Sequence, residues 1–320
     1  MNRTNRHPTI VALLILALLL PAVAQAIDFD RIVVFGTSLS DPGNAFALTG
    51  QAMSAPYSEL SNPADLFVPS MPYQAGGHHF SNGATWIEQF AFRAGRGDTA
   101  RPAFTASGSQ ATNYSVGGAR ARRVPGNVNL SDQVATFLAD FNYDAPSGAL
   151  YVIDMGANDV RDALFNPTEI GPIFTAALGS ISEQILNLYV AGARKFLILN
   201  VANLGKIPSM LILDSLHPGT AQAAEGVTFF FNTYLEEIVT SAKALPGVTI
   251  AQLDVFSKVS AVTANPAAFG LANVTAPCVM PEVAPYRCQQ PDDYLFWDGI
   301  HPTKAGHAIL AQEVSNVLAQ

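Results

Sequence analysis

The sequence predicts an α/β protein with a mainly parallel sheet covered by helices on both faces. Three observations carry that prediction. Short β-branched apolar runs recur along the chain. Longer stretches with apolar residues three and four apart separate them. The runs are apolar throughout instead of alternating, as strands buried on both faces are.

The first run, Arg31 to Gly36 (RIVVFG), ends on glycine like a buried strand. Ala111 to Gly117 is a weaker second candidate. Leu150 to Met155 (LYVIDM), Lys195 to Val201 (KFLILNV) and Val248 to Leu253 (VTIAQL) complete a series of five. Between them, Ile170 to Ala191 sets Ile181, Ile185, Leu188 and Tyr189 on one helical face. Thr220 to Leu245 does the same with Phe230, Tyr234, Leu235, Ile238 and Val239. A last helix starts at Thr303, a fitting N-cap, and presents Ile309, Leu310, Val314, Val317 and Leu318. Two Pro-rich, poorly periodic stretches, Ser54 to Gly77 and Leu271 to Tyr294, read as surface loops and candidate pocket walls. Right-handed crossovers in such a sheet put ligands outside the carboxyl ends of the strands.

Composition narrows the function classes. Of 320 residues, 49% are hydrophobic and 13% charged, too apolar for a disordered chain. The formal charge of −8 argues against nucleic acid, whose affinity comes from neutralised phosphates. The basic start at Arg3, Arg6 and His7, the apolar run Ile10 to Leu20 and the small-x-small site Ala24-Gln25-Ala26 read as a secretory signal peptide over 1–26. Eleven apolar residues reach only about half way across a ~30 Å hydrocarbon core, which disfavours a membrane anchor. Cleavage near Ala26 leaves 27–320 as one domain with 15 basic and 25 acidic residues, a charge of −10. No later stretch is long and apolar enough to span a bilayer. Export also bears on Cys278 and Cys288. In an oxidising compartment two cysteines close in sequence read as a disulfide, and neither a C-x-x-C nor an intervening histidine suggests a metal.

The chemistry gathers where these strands end. Ser38 follows the first strand in Gly36-Thr37-Ser38-Leu39, where a nucleophile would be exposed, although an N-cap or turn serine fits the position equally. The G-x-S-x-G elbow is absent, because Ser40 stands at its last glycine. A serine nucleophile needs a base, and the base needs an orienting acid. Asp298-Gly299-Ile300-His301-Pro302 supplies both, with Asp298 suited to fix the His301 tautomer. A metal reading that adds His307 lacks a further ligand nearby. Gly156-Ala157-Asn158-Asp159 and Asn113 to Ala119 follow other strands and offer donors for an oxyanion, though both also read as ordinary turns.

Taken together these blocks resemble the GDSL esterases and lipases of the SGNH hydrolase superfamily. Gly36 to Leu39 with Ser40-Asp41-Pro42-Gly43-Asn44 resembles the first family block, and Asn113 to Gly118 the second. Gly156 to Asp159 matches the G-x-N-D block, and Asp298 to His301 the D-x-x-H block with its following proline. Phe80-Ser81-Asn82-Gly83 with Trp86, Gly192 to Phe196, Asn203-Leu204-Gly205 with Pro208, and Phe231-Asn232 with Leu235 look like the branch holding secreted bacterial lipases, phospholipases and hemolysin-like esterases. The likeness runs from about Arg31 to the C-terminus.

The resemblance implies a three-layer α/β/α sandwich around a flavodoxin-like, mainly parallel five-stranded sheet. It implies Ser38 as nucleophile, His301 as base and then acid, and Asp298 as the residue that orients His301. It implies an oxyanion hole of the Ser38 N–H, the Gly118 N–H and the Asn158 side chain. Gly118 is preferred to Gly117 because it stands five residues after Asn113, as in family members. One departure is plain: Thr37 replaces the aspartate of block one, which is neither nucleophile nor base, so its loss bears on positioning. The expected activity is a secreted serine esterase or lipase that needs no cofactor or metal. Its partner would be a small-molecule or lipid ester, with transient contact to a lipid surface. A carbohydrate acetylesterase and a lipid acyltransferase are alternatives on the same site. A decayed, non-catalytic binding protein is the alternative from another class, and Thr37 alone encourages it. A flavodoxin-like cofactor binder would need a Gly-rich phosphate loop, which the sequence lacks.

Overall fold

The computed structural model describes residues 27–105 and 110–319. The leader read over 1–26 lies outside the described residues. Four strands, β1 (Ile32–Gly36), β2 (Leu150–Asp154), β3 (Lys195–Leu199) and β4 (Thr249–Leu253), form an all-parallel sheet in the order β1-β2-β3-β4. Alternate residues of these strands feed two cores. Val33, Phe35, Tyr151, Ile153, Phe196 and Ile198 face one. Ile32, Val34, Leu150, Val152, Leu197 and Leu199 face the other. Both sheet faces are therefore buried, which is why the strands show no polar alternation.

The chain crosses between strands through α1 (Asn44–Thr49), α2 (Trp86–Arg93), α3 (Leu130–Asp140), α4 (Ala157–Phe165), α5 (Ile170–Ala191), α6 (Pro208–Leu216), α7 (Thr220–Lys243) and α8 (Val255–Ala264), and α9 (Lys304–Leu318) follows the strands. Side chains of α3, α5 and α7 complete the first core. Those of α2 and α9 complete the second. A further two-stranded parallel pair joins β5 (Asn273–Pro277) to β6 (Tyr294–Phe296).

Two expectations need correction. The sheet has four strands, not five. Ala111 to Gly117 does lie along β1, through Val34 N–H to Thr112 O, Tyr114 N–H to Val34 O and Val116 N–H to Gly36 O. Its other side is taken by irregular neighbours: the Asn113 carbonyl accepts from Ala103 N and from Asn44 Nδ2. The segment therefore contributes single bridges in place of a ladder. The second correction concerns α7. Its buried face carries Phe231, Leu235, Val239 and Ala242, whereas Phe230 and Tyr234 are 61% and 50% exposed. Neighbouring aromatics gave two nearly equivalent stripes, and the sheet selects the one a residue further on.

Of the two Pro-rich stretches, only the first walls the pocket, through residues between Glu59 and Ser70. The second carries β5 and brings Cys278 and Cys288 to bonding distance, with Cα atoms 4.8 Å apart. It packs with Tyr73 and Trp297 instead.

Candidate active site

Ser38 comes from the turn after β1. Gln133 on α3 closes the strand end by accepting from Gly36 N at 2.9 Å and donating to Gly36 O at 2.9 Å. Gly36 has to be small, since a Cβ there would stand 2.8 Å from Ser115 Oγ. His301 and Asp298 come from the loop between β6 and α9. That loop is held at its far end by Thr303, whose side chain accepts from Gly306 N as the N-cap of α9.

These elements bring the three predicted residues together. Ser38 Oγ–H donates to His301 Nε2 at 2.8 Å. His301 Nδ1–H donates to Asp298 Oδ2 at 2.8 Å. Asp298 is fully buried and His301 nearly so. Asp298 Oδ1 also accepts from the backbone N–H groups of Ile300 (2.9 Å) and His301 (2.8 Å), which sets the carboxylate against its own loop. Such an array can draw the proton from a serine hydroxyl while holding one imidazole tautomer.

Sequence reasoning missed a fourth member. Tyr73, fully buried, donates its hydroxyl to Asp298 Oδ2 at 2.9 Å. Burial, with the Asp298 charge beside it, pushes the phenol well above its usual value, so it stays a donor. Its ring packs edge-on against Tyr57 and Trp297, over the Cys278–Cys288 pair.

The oxyanion candidates converge on the same spot. Ser38, Gly118 and Asn158 all border one cleft of about 760 Å³. Gly117 N–H is already committed to Asp41 Oδ2 at 2.8 Å, whereas Gly118 N–H meets no acceptor among the described residues. Gly118 also sits at φ 79°, a conformation that disfavours a side chain. One amide N–H of Asn158 donates to Ala119 O at 2.8 Å, which leaves the other for a ligand.

The remaining block residues act as braces. Asp41 accepts from the N–H groups of Gly43 (2.8 Å), Asn44 (2.6 Å), Ala45 (3.1 Å) and Gly117. Burial pushes its carboxyl up to about 6 against those donors. Asn113 Nδ2 donates to Ser40 O, and Asn44 Nδ2 donates to the carbonyls of Asn113 and Ser115. The Ser38 turn and the Gly118 loop are thus tied by buried amides and one carboxylate. Asp159 accepts from Ala121 N and pairs with Arg122 at 2.8 Å, fixing the loop beyond Gly118.

Behind Ser38 lies a narrow apolar cavity of about 100 Å³, reaching Ile207, Val262, Phe296 and His307. Thr37 lines it, 2% exposed, where an aspartate would place a charge among apolar walls. Burial lowers His307 to about 3, with His301 and His79 adding to the shift, so it stands there neutral. The stretch Ile207 to Leu213 is largely helix α6, with Ile207 in the cavity wall.

The model of the GDSL-like lipase/acylhydrolase family matches residues 32–314. A GDSL esterase/lipase of Arabidopsis thaliana is 26% identical over 319 residues, covering 87% of this chain and 85% of the relative. Lipase 1 of Photorhabdus luminescens is 25% identical over 95% of this chain and 52% of its own length. Among solved structures, an acetylxylan esterase from Geobacillus stearothermophilus superposes with a TM-score of 0.48 at 14% identity, over 92% of this chain and 97% of that one.

Proposed function

From the premise that this chain belongs to the GDSL-like lipase/acylhydrolase family and is a carboxylic-ester hydrolase, we propose that Ser38, His301 and Asp298 form its catalytic triad. The observation that carries the reading is the 2.8 Å bond from Ser38 Oγ to His301 Nε2, continued at 2.8 Å from Nδ1 to Asp298. Ser38 Oγ bonds to the ester carbonyl carbon as His301 Nε2 takes its proton. The tetrahedral oxyanion is held by the N–H groups of Ser38 and Gly118 and the free N–H of Asn158. Collapse breaks the carbonyl–alkoxy bond while His301 returns its proton to the leaving alcohol. Water, deprotonated by the same imidazole, then releases the acid from the acyl-enzyme.

The acyl portion enters the apolar cavity behind Ser38, and the alcohol portion stays in the larger cleft. At about 100 Å³ the cavity favours short acyl chains. The chain is exported and its leader removed near Ala26, leaving one domain over 27–320. The basic, apolar and small-residue order of that leader supports this, as do two cysteines at bonding distance. Lipid esters reach the site by transient contact of the protein with a lipid surface.

A fluorophosphonate probe and an acyl-length series of p-nitrophenyl esters test the reading together. Labelling at Ser38, loss of turnover in Ser38→Ala and a short-chain optimum are expected. Full turnover by Ser38→Ala would sink it.

A further inference from the structure

The cleft contains one cation that makes no hydrogen bond or ion pair among the described residues. Three guanidinium groups, Arg120, Arg122 and Arg161, gather beside the oxyanion candidates, with two carboxylates, Asp159 and Asp162. Arg120 grips Asp162 with two parallel bonds of 3.0 Å. Arg122 takes Asp159 at 2.8 Å and the same Asp162 at 2.6 Å. Both acids are thereby used, and one positive charge is left over. That charge is Arg161, for which no hydrogen-bond or ion-pair partner lies among the described residues. Burial and the neighbouring Arg120 hold its guanidinium below the usual arginine value, against the weaker pull of Asp162 and Asp298. A half-buried cation with no direct partner is costly unless a ligand brings an anion to it.

Its place says which ligand. Arg161 stands on α4 three residues after Asn158, so the two side chains share one helical face about a turn apart. It borders both the apolar cavity and the cleft, alongside Ser38 and His301. The exposed carboxylates of Glu59 and Asp65 also line the cleft, where solvent screens them. We infer that Arg161 is a substrate-binding residue for carboxylic esters whose alcohol portion carries an oxyanion group, phosphate or carboxylate. The inference rests on the ester-hydrolase reading and adds the substrate's charge to it. The guanidinium fork engages two oxygens of that group, a geometry a lysine ammonium reproduces only as a point charge. A substrate anchored within a turn of the oxyanion hole spends that binding on holding its carbonyl in place.

The test uses butyrate esters of three phenols: 4-hydroxybenzamide (neutral), 4-hydroxybenzoate and 4-hydroxyphenyl phosphate. For each anionic ester, kcat/KM relative to the neutral one is measured in the wild type and in Arg161→Met. Dividing the two ratios cancels intrinsic leaving-group reactivity. A quotient of roughly 10–100 is expected, with Arg161→Lys between the two. The anion with the larger quotient identifies the source. Quotients near one for both anions overturn the inference. Should Arg161→Met not fold, the Arg161→Lys quotient carries the same test. Calorimetric binding of phenylphosphonate to Ser38→Ala, with and without Arg161→Lys, needs no turnover. If no ester is cleaved yet phenylphosphonate binds through Arg161, the ester reading fails and the anion site stands. If neither protein binds it, the site itself is refuted.

Discussion

Replacing Tyr73 by phenylalanine removes one oxygen from the interior and leaves the ring in its packing against Tyr57 and Trp297. The lost contact is a 2.9 Å hydrogen bond to a buried carboxylate, worth about 1.5–3 kcal/mol. Asp298 keeps its bonds from Ile300 N, His301 N and His301 Nδ1, so it is weakened without being orphaned. Unfolding in urea should therefore come earlier by that amount. The same energy caps the loss in kcat/KM at roughly 10–100-fold, reached only if the bond is worth as much in the transition state. The kinetic constants separate positioning from mere stability. Without the phenol, Asp298 holds His301 in place less firmly, so kcat falls while KM stays near the parent value. A variant within about 0.5 kcal/mol of the parent in stability, with an unchanged kcat, would refute the reasoning.

Three further outcomes follow from the same geometry. Asn158→Ala should lower kcat by roughly 10²–10³ in steady-state assays while Ser38 remains reactive toward a fluorophosphonate. Asp41, raised by burial to about 6 from a usual 3.8, binds a proton when folded that the unfolded chain has released between those pH values. Stability therefore falls as pH rises through that window, by about 3 kcal/mol from this group. Urea titrations from pH 4 to 7 should show a flatter dependence in Asp41→Asn than in the parent. Replacing Cys278 and Cys288, ten positions apart, by serine should cost about 2–3 kcal/mol in the chain-entropy account, read as the gap between parent and variant without reductant.

Much of the site could be read in the chain because its residues stand next to things that strands and helices announce. Ser38 and Asn158 follow apolar runs that end in glycine, and His301 precedes a capped helix. The four strands of the sheet lie within the predicted runs, and Ile170–Ala191 is a helix over its full predicted span. Tyr73 left no such trace. It lies in a Pro-rich stretch without periodicity, and its partner is 225 residues away. Gln133 reads as one more polar residue on a helix until its contact with Gly36 is seen. Arg161 carries the same lesson. Nothing in Asn158-Asp159-Val160-Arg161-Asp162 says that both acids are spent on other arginines. The fifth strand and the inner stripe of α7 failed for a related reason. Residue types record a preference for burial, while neighbours decide which edge or face obtains it.

The bond from Ser38 to His301 closes a span of 263 residues, from the end of the first strand to the loop before the last helix. On the proposed triad, a chain made from its amino end holds its nucleophile long before it holds its base. Everything up to β4 can assemble the sheet and both oxyanion loops, yet such a fragment is chemically silent. Ester turnover then reports the docking of the last segment, whereas eight of the nine α-helices described precede it. A protein cut after Gln290 should retain much of its circular dichroism and none of its turnover. For an ester hydrolase, placing the base so far behind the nucleophile is a form of latency written into chain order.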